Sequence, residues 1–210
     1  ENDTPNKIKI SKEIIATLPI ETFPGKIIVI DNERDADNAV LQLNNEKIIG
    51  FDTETRPTFK KGKSNHVALI QLSTHDTCYL FRINRIGFTP AIKNLLENES
   101  LLKVGISLKD DFWMLSRLNS GQFIPRNFIE LQKFVKKYNI EDQSLQKIYG
   151  IVIGKKISKG QRLSNWEADH LTENQQLYAA TDAWSCIKIY EVLKSGKFKS
   201  PIYKIQPSSL

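Results

Sequence analysis

Acidic residues recur at three separated places, which are the end of a predicted strand, the first turn of one predicted helix and the interior of another. Asp52 and Glu54 close an apolar run over residues 47–53 that predicts a buried strand. Side chains two residues apart on a strand project to the same face, so both carboxylates point the same way. They repel each other and lose hydration there, and a divalent cation is the simplest compensation. Asp-x-Glu is a common tripeptide, and alone it equally describes a solvated strand end.

Two further signals come from predicted helices. Tyr178 and Asp182 are four residues apart in a helical stretch over residues 173–193, so they share one helix face. A phenol and a carboxylate there can position a water molecule and a metal ion, or simply pack and be solvated. Asp110 and Asp111 lie in the first turn of a predicted helix over residues 107–118, where the helix dipole favours acids for structural reasons alone. Each signal by itself fits a structural role.

Taken together, these signals occur in the order strand Asp-x-Glu, mid-chain helix Asp, late helix Tyr-x-x-x-Asp. In this order the chain resembles the DEDD superfamily of 3′→5′ exonucleases, in the subgroup with a tyrosine. Within it, the chain is most similar to Werner-syndrome-type exonuclease domains and their stand-alone bacterial relatives. The resemblance covers about residues 25–193 and is carried by residues 51–54, 67–72, 103–115, 163–166, 171–173 and 177–183. Alignment of Lys103, Gly105 and Trp113 with the family pattern assigns the catalytic acid to Asp111 and leaves Asp110 as a solvated neighbour.

The resemblance implies a fold, a mechanism and a set of site residues. The fold is expected to be α/β, a ribonuclease H-like mixed β-sheet flanked by α-helices. The mechanism is expected to be two-metal-ion hydrolysis with Mg²⁺ or Mn²⁺, two hard cations that prefer oxygen ligands. The resemblance implies that Asp52 bridges both ions, that Glu54 and Asp182 bind the ion that activates water, and that Asp111 binds the second ion. It also implies that Tyr178 orients the attacking water.

The expected activity is 3′-5′ exonuclease hydrolysis of nucleic acid that offers a 3′ end. DNA is favoured over RNA because the Werner-type resemblance is closer and because no further helical nucleic-acid-binding domain is expected after residue 193. An RNA-trimming exonuclease resembling ribonuclease D remains an alternative with the same metals and acids. A non-catalytic nucleic-acid-binding domain is the second alternative, and such a domain is expected to have lost one of the acids.

Basic residues cluster beside the acidic motifs, and the chain carries a net charge of +6 with a pI of about 9.2. A polyanion-binding rim requires such a distribution, although a modest lysine excess also serves solubility. One cluster contains Arg56, Lys60, Lys61 and Lys63, and the other contains Lys155, Lys156, Lys159 and Arg162. The candidate nucleic-acid contacts are Arg56, Lys155, Lys159, Arg162, Trp113 and Trp166. The two tryptophans could stack on bases, although large aromatic residues in helices are more often core residues. Gly62-Lys63-Ser64 resembles the end of a P-loop but lacks its first glycine, so no nucleotide-driven motor is expected.

The elements that must position these residues are read from periodicity and turn chemistry. Strands are predicted at 26–30, 47–53, 67–73, 77–81 and just after Lys103, and helices at 89–97, 107–118, 127–138, 142–150 and 173–193. A further helix is predicted from an N-cap at Asp31 or Asn32 to about residues 44–45, with an apolar stripe of Ala36, Val40, Leu41 and Leu43. The stretch 150–172 reads as a basic surface loop. We expect an N-terminal tail and lead-in at residues 1–24, the exonuclease domain at 25–195 and a C-terminal tail at 196–210.

Two cysteines and the absence of long apolar runs indicate the cellular setting. Cys78 and Cys186 are far apart, which favours two buried thiols in a reducing compartment, expected to be the cytoplasm. No apolar run reaches the roughly 18 residues that span a bilayer, so no membrane association is expected. The sequence leaves the oligomeric state open.

Overall fold

Six strands form a single mixed sheet in the computed structural model, which describes residues 7–56, 66–118 and 121–199. The strands are β1 (Lys26–Ile30), β2 (Ile48–Thr55), β3 (Val67–Ser73), β4 (Thr77–Phe81), β5 (Leu102–Gly105) and β6 (Phe128–Glu130). Their order across the sheet is β1-β4-β3-β2-β5-β6. The pairs β2–β3 and β3–β4 are antiparallel, whereas β1–β4, β2–β5 and β5–β6 are parallel. The predicted mixed α/β sheet is confirmed.

Eight α-helices flank this sheet. They are α1 (Lys12–Thr17), α2 (Glu33–Leu43), α3 (Ile83–Ile86), α4 (Pro90–Glu97), α5 (Leu108–Leu118), α6 (Leu131–Phe134), α7 (Leu145–Ile153) and α8 (Glu173–Lys194), with a short 3₁₀ turn at Val135–Tyr138. The long helix α8 begins with a capping box, in which Thr172 accepts from the Gln175 backbone and the Gln175 side chain returns to the Thr172 backbone. This box satisfies backbone N–H groups that the first helical turn leaves without partners.

Helix α8 lies directly against the centre of the sheet. A Cβ atom added at Gly50 on β2 would lie 1.9 Å from the carbonyl oxygen of Ala183, so only glycine permits this approach. Helices α2, α4 and α5 contribute to a second apolar cluster that contains Phe51, the residue after Gly50. The two faces of β2 therefore meet different helices, α8 on one side and α5 on the other.

The predicted helix over residues 127–138 is wrong in its first part, while residues 131–138 are helical. Residues Phe128–Glu130 form β6, the parallel edge strand beside β5, and only then does the chain turn into α6 and the 3₁₀ turn. The backbone hydrogen bonds available at the open edge of β5 outweigh the local helical pattern. The 3₁₀ turn ends at Asn139, which adopts the left-handed conformation with φ of 61°.

The lead-in before β1 packs against the rest of the molecule. Ile10 is 1% exposed, and its backbone N–H donates to Asp142 over 2.8 Å. Phe23 is also buried, and its N–H donates to the Thr181 hydroxyl over 3.0 Å. Residues 7–24 are thus more than a tail, although the domain limits at 25 and 195 stay predictions. Residues 1–6 and 200–210 lie outside the described part of the chain.

The remaining expectations of the fold meet mixed outcomes. Cys78 and Cys186 are buried free thiols, as predicted. Leu41, which we placed on the apolar stripe of α2, is 63% exposed, so that assignment is wrong. The stretch expected to be a surface loop buries Trp166 completely, and Arg82 donates to the Ala168 carbonyl oxygen to hold the loop in place. No helix in the described ranges combines the length and apolar character needed to span a membrane.

Candidate active site

Strand β2 presents Asp52 and Glu54 to helix α8, where Asp182 meets them. Strand alternation separates these two acids from Phe51 and Thr53, which face the opposite side. The close approach of β2 and α8 at Gly50 then brings Asp182 next to the acids of the strand. One carboxylate oxygen from each of Asp52, Glu54 and Asp182 lies within 4.8 Å of the other two. Three acids separated by up to 130 positions in sequence therefore share one small volume.

Asp111 approaches the same place from the other face of β2. Its Oδ1 atom accepts a hydrogen bond from the Thr53 hydroxyl over 2.5 Å. Asp111 is only 9% exposed, whereas its neighbour Asp110 is exposed to solvent. Asp111, and not Asp110, is therefore the buried acid beside Thr53, and its charge acts on Asp52, although it lies outside the group of three carboxylates within 4.8 Å. The assignment of the catalytic acid to Asp111 stays a prediction.

Glu130 on β6 holds the start of α5, the helix that carries Asp111. Its two carboxylate oxygens accept from the backbone N–H groups of Ser107 at 3.1 Å and Leu108 at 2.7 Å. Ser107 has a φ of 58°, a left-handed conformation that serine adopts rarely and that needs support from its surroundings. The sequence analysis missed both Thr53 and Glu130. Glu130 was missed because it was assigned to a predicted helix over residues 127–138, whereas the role of Glu130 depends on being in a strand beside β5.

Burial raises the proton affinities of all four acids, and repulsion from the other acids adds to the rise at Asp52 and Glu54. The pKa of Asp52 is raised well above its usual range by burial and by the carboxylates of Asp182 and Asp111. Burial and the same neighbours, together with Asp52, raise the pKa of Glu54. Burial raises the pKa of Asp111 to about 7, although the Thr53 hydrogen bond opposes the rise. Such shifts mark charges that are held together against their repulsion and that a bound cation would stabilise.

Tyr178 lies one helical turn before Asp182 and is 6% exposed. Its pKa is raised by burial and by the carboxylates of Asp182, Glu54 and Asp52, so the phenol stays protonated at neutral pH. Trp166 packs behind it, with ring centroids 6.0 Å apart, and is completely buried. Trp166 therefore cannot stack on a base, and that expectation is wrong; the indole fills the space behind the phenol.

Two of the predicted basic contacts lie within electrostatic reach of the acids. The positive charge of Lys159 opposes the rise in the pKa of Asp182, and that of Arg162 acts in the same way on Glu54. Both residues belong to the segment between α7 and α8, so this segment brings positive charge to the carboxylate cluster.

The other predicted contacts are less available. Lys155 forms an ion pair with Glu21 at 2.7 Å, and the half-exposed Arg56 pairs with Glu167 at 3.2 Å. A phosphate would have to displace these carboxylates, so the prediction that Lys155 grips a phosphate is not supported. Trp113 is 58% exposed, with the Arg117 guanidinium 4.8 Å from the centre of its ring. Lys60, Lys61 and Lys63 lie outside the described residues.

The carboxylates fit hard divalent cations as ligands. They supply only oxygen atoms as ligands, and the carboxylates of Asp52, Glu54 and Asp182 lie within 4.8 Å of one another. None of these three carboxylates forms an ion pair with another described residue. The buried Oδ1 atom of Asp182 has no hydrogen-bond partner in the described part of the protein. A buried carboxylate oxygen without a partner is costly unless a cation or water completes its shell. The cluster therefore has the composition of a site for a hard divalent cation.

A mixed sheet on which β2 and α8 join three acids and a tyrosine, with a fourth acid on α5, is the arrangement of ribonuclease H-like 3′-5′ exonucleases of the DEDD class. Two solved structures share the fold. The EXO domain of Aedes aegypti Nibbler matches with a TM-score of 0.75 and 24% identity, over 83% of this chain and 91% of that one. Escherichia coli RNase D matches with a TM-score of 0.72 and 21% identity, over 82% of this chain and 45% of that one.

Residues 27–196 match the family described as 3'-5' exonuclease, and the chain belongs to that family of phosphodiester hydrolases. The mouse protein "Bifunctional 3'-5' exonuclease/ATP-dependent helicase WRN" is 35% identical over 201 residues, 90% of this chain and 14% of the relative. A "3'-5' exonuclease" of Arabidopsis thaliana is 28% identical over 202 residues, 84% of this chain and 66% of the relative. The chain thus spans only part of the length of these relatives.

Proposed function

We propose that this chain removes nucleotides from the 3′ end of nucleic acid, with DNA as the favoured substrate, by two-metal-ion hydrolysis. The observation that carries the proposal is the meeting of Asp52, Glu54 and Asp182 within 4.8 Å. Asp111 adds a fourth acid from the opposite side of β2. Family membership supports the bond that is cleaved and the direction of cleavage.

Four acids would hold the two cations, which are Mg²⁺ or Mn²⁺. In this proposal Glu54 and Asp182 would bind one of them and Asp111 would bind the other. Asp52 would share both, which is supported by the effect of the Asp182 and Asp111 charges on its carboxylate. When bound, such a pair of cations supplies an activated water and positive charge at the attacking and leaving oxygens of the phosphodiester.

The remaining groups of the site orient the reactants. Tyr178 keeps its proton at neutral pH, so it acts as a hydrogen-bond donor that aims the attacking water and not as a base. Lys159 and Arg162 bring positive charge to the side of the cluster formed by Asp182 and Glu54. These two side chains attract the phosphate of the terminal nucleotide and hold it against the acids.

DNA is favoured because the relative at 35% identity is of the Werner type. An RNA substrate is the second candidate, because RNase D of Trypanosoma brucei, solved in complex with RNA U12, shares the fold with a TM-score of 0.71. That neighbour is 19% identical to this chain, so its likeness carries the fold and leaves the substrate open. None of the residues discussed above distinguishes a 2′-hydroxyl from a hydrogen.

The test is digestion of 5′-labelled oligonucleotides with Mg²⁺, with Mn²⁺ and with chelator. We expect a ladder that shortens from the 3′ end, that requires a divalent cation and that is lost in Asp52→Asn. Asp110→Asn is the matched control, because it removes an exposed acid next to Asp111. Oligonucleotide binding without shortening in any of these metals would support the non-catalytic alternative.

Matched DNA and RNA duplexes with recessed 3′ ends separate the two substrate classes. DNA is expected to be degraded with the higher kcat/KM. A higher kcat/KM for RNA would transfer the proposal to RNA trimming without affecting the roles of the acids.

A further inference from the structure

Two adjoining grooves run along the β6 edge of the molecule and share Lys136 and Gln143 in their walls. The first groove, of about 650 Å³, is also lined by Lys109 and Lys133. The second, of about 480 Å³, is also lined by Lys7 and Lys9. We call the two together the lysine groove. Its walls thus carry five lysines from the N-terminal segment, α5, α6 and the 3₁₀ turn.

Two of the three acids that line the lysine groove are engaged within the protein, and the third is the exposed Asp110. Five lysines stand against these three acids, so the charge of the groove toward a ligand is positive. Glu141 pairs with Lys7 at 2.6 Å and with Lys9 at 3.1 Å. Glu130 directs its carboxylate to backbone N–H groups at the start of α5. Among the residues the structure describes, no carboxylate forms an ion pair with the exposed lysines 109, 133 and 136.

The floor of the first groove is aromatic. Phe112 and Phe128 line it, with ring centroids 4.8 Å apart, and both rings are only partly buried. An aromatic floor beneath a cationic rim fits a ligand that combines flat apolar rings with regularly spaced negative charge. Single-stranded nucleic acid has this chemistry, since its bases stack on aromatic side chains and its phosphates pair with lysines.

The lysine groove adjoins the first turn of α5, the helix that carries Asp111. Lys109 and Asp110 line its first part, whereas Asp111, the next residue, is buried and is not part of the lining. An exonuclease holds only the terminal nucleotides among its catalytic acids, so the rest of the strand must leave over the surface. The groove offers that strand a surface on the helix that carries Asp111.

We propose that the lysine groove binds the sugar-phosphate backbone of the substrate strand on the 5′ side of the cleaved bond. The inference rests on the proposed nuclease function and adds a surface to it, with Lys133 and Lys136 as its central contacts. Binding there is independent of base sequence, because lysines meet phosphates and the aromatic floor accepts any base.

The experiment compares Lys133→Gln/Lys136→Gln with Lys26→Gln/Lys47→Gln. The control pair removes the same charge at exposed positions away from the groove, on β1 at the opposite edge of the sheet and just before β2. Binding of a fluorescent single-stranded DNA 20-mer is measured in chelator over a series of salt concentrations. The kcat/KM for a trinucleotide is measured with Mg²⁺.

We expect the groove variant to lose two phosphate contacts. The slope of log K against log salt should become shallower by about 1.4, which corresponds to about 25-fold weaker binding at 0.1 M salt. The trinucleotide should be cleaved at the wild-type rate, because it is too short to depend on the groove. The control variant should bind the 20-mer with the wild-type slope.

The outcomes separate this inference from the function on which it rests. Equal slopes for wild type, groove variant and control would overturn the groove while leaving the nuclease intact. Wild-type protein that binds the 20-mer through the groove but cleaves nothing in Mg²⁺ or Mn²⁺ would overturn the nuclease. A groove that binds an acidic protein and not the 20-mer would overturn the assignment to nucleic acid.

Discussion

Glu130→Gln tests whether the attachment of α5 to β6 positions Asp111. The substitution keeps one acceptor oxygen and replaces the other by an amide nitrogen, so the 2.7 Å bond from the Leu108 N–H is lost. A hydrogen bond to a charged group contributes about 1.5–3 kcal/mol, and the half-buried location of Glu130 favours the lower end, about 2 kcal/mol. For a protein of this size, that corresponds to a fall in melting temperature of roughly 4–8 °C.

The effect on catalysis should exceed the effect on stability. The Ser107–Leu108 turn precedes Asp111 by three residues, so its relaxation moves the carboxylate relative to Asp52. A displacement near 1 Å in a catalytic group costs about 100-fold in rate. We expect kcat to fall by roughly 10- to 100-fold with little change in KM, and the Mg²⁺ concentration for half-maximal rate to rise.

The matched control for this prediction is Glu97→Gln. Glu97 also accepts a backbone N–H, that of Ile124 at 2.8 Å, and pairs with Lys93 away from the site. The Glu97→Gln variant should have a lower melting temperature, while the Mg²⁺ concentration for half-maximal rate should stay unchanged. The reasoning is refuted if Glu130→Gln leaves kcat and the Mg²⁺ dependence unchanged, or if both variants lose activity only in proportion to stability.

Three further results are expected. Asp182→Asn should lower kcat more than 100-fold, because even partners of metal ligands contribute about 10- to 100-fold, and Asp110→Asn should stay within about twofold in the same oligonucleotide assay. Tyr178→Phe removes one hydrogen bond worth about 1 kcal/mol and should lower kcat several-fold with unchanged oligonucleotide affinity; an unaltered kcat would remove the phenol from the mechanism. In chelator, the folded protein holds protons more tightly than the unfolded chain, because burial raises the pKa of Asp111 from 3.8 to about 7 and the other acids shift in the same direction. The melting temperature of the wild-type protein should therefore fall from pH 5 to pH 8 relative to that of Asp182→Asn, and saturating Mn²⁺ should remove this fall. If the melting temperatures of the two proteins change with pH in parallel in chelator, the prediction is contradicted.

Local patterns predicted those elements of the fold whose pattern agrees with their tertiary setting. Strands β1 to β4 and helices α2, α5 and α8 lie where alternation, apolar spacing and capping residues place them. The segment 127–138 failed, because a strand of three residues at a sheet edge depends on its partner β5 and leaves little trace in its own sequence. The burial of Ile10 could not be predicted for the same reason, since its partner Asp142 lies 132 residues away in the sequence.

The acids of the site were predictable because each carries a local signal of its own. Asp52 and Glu54 alternate on a strand, Tyr178 and Asp182 are one helical turn apart, and the family pattern supplies their order. Thr53 and Glu130 carry no such signal. Their importance appears only when Thr53 reaches Asp111 across 58 residues and Glu130 reaches Leu108 across 22.

Strand β2 is the element through which both sides of the candidate site are coupled. Its even-numbered residues Asp52 and Glu54 face Asp182 on α8, while the intervening Thr53 faces Asp111 on α5. One strand therefore carries Asp52, Glu54 and the Thr53 contact to Asp111, so a shift of β2 would move both of its acids relative to Asp182 and to Asp111. The start of α5, the helix that carries Asp111, is held separately by the carboxylate of Glu130 on β6. Because that support is separate, a change at Glu130 should disturb the cation site served by Asp111 while leaving the site of Glu54 and Asp182 in place.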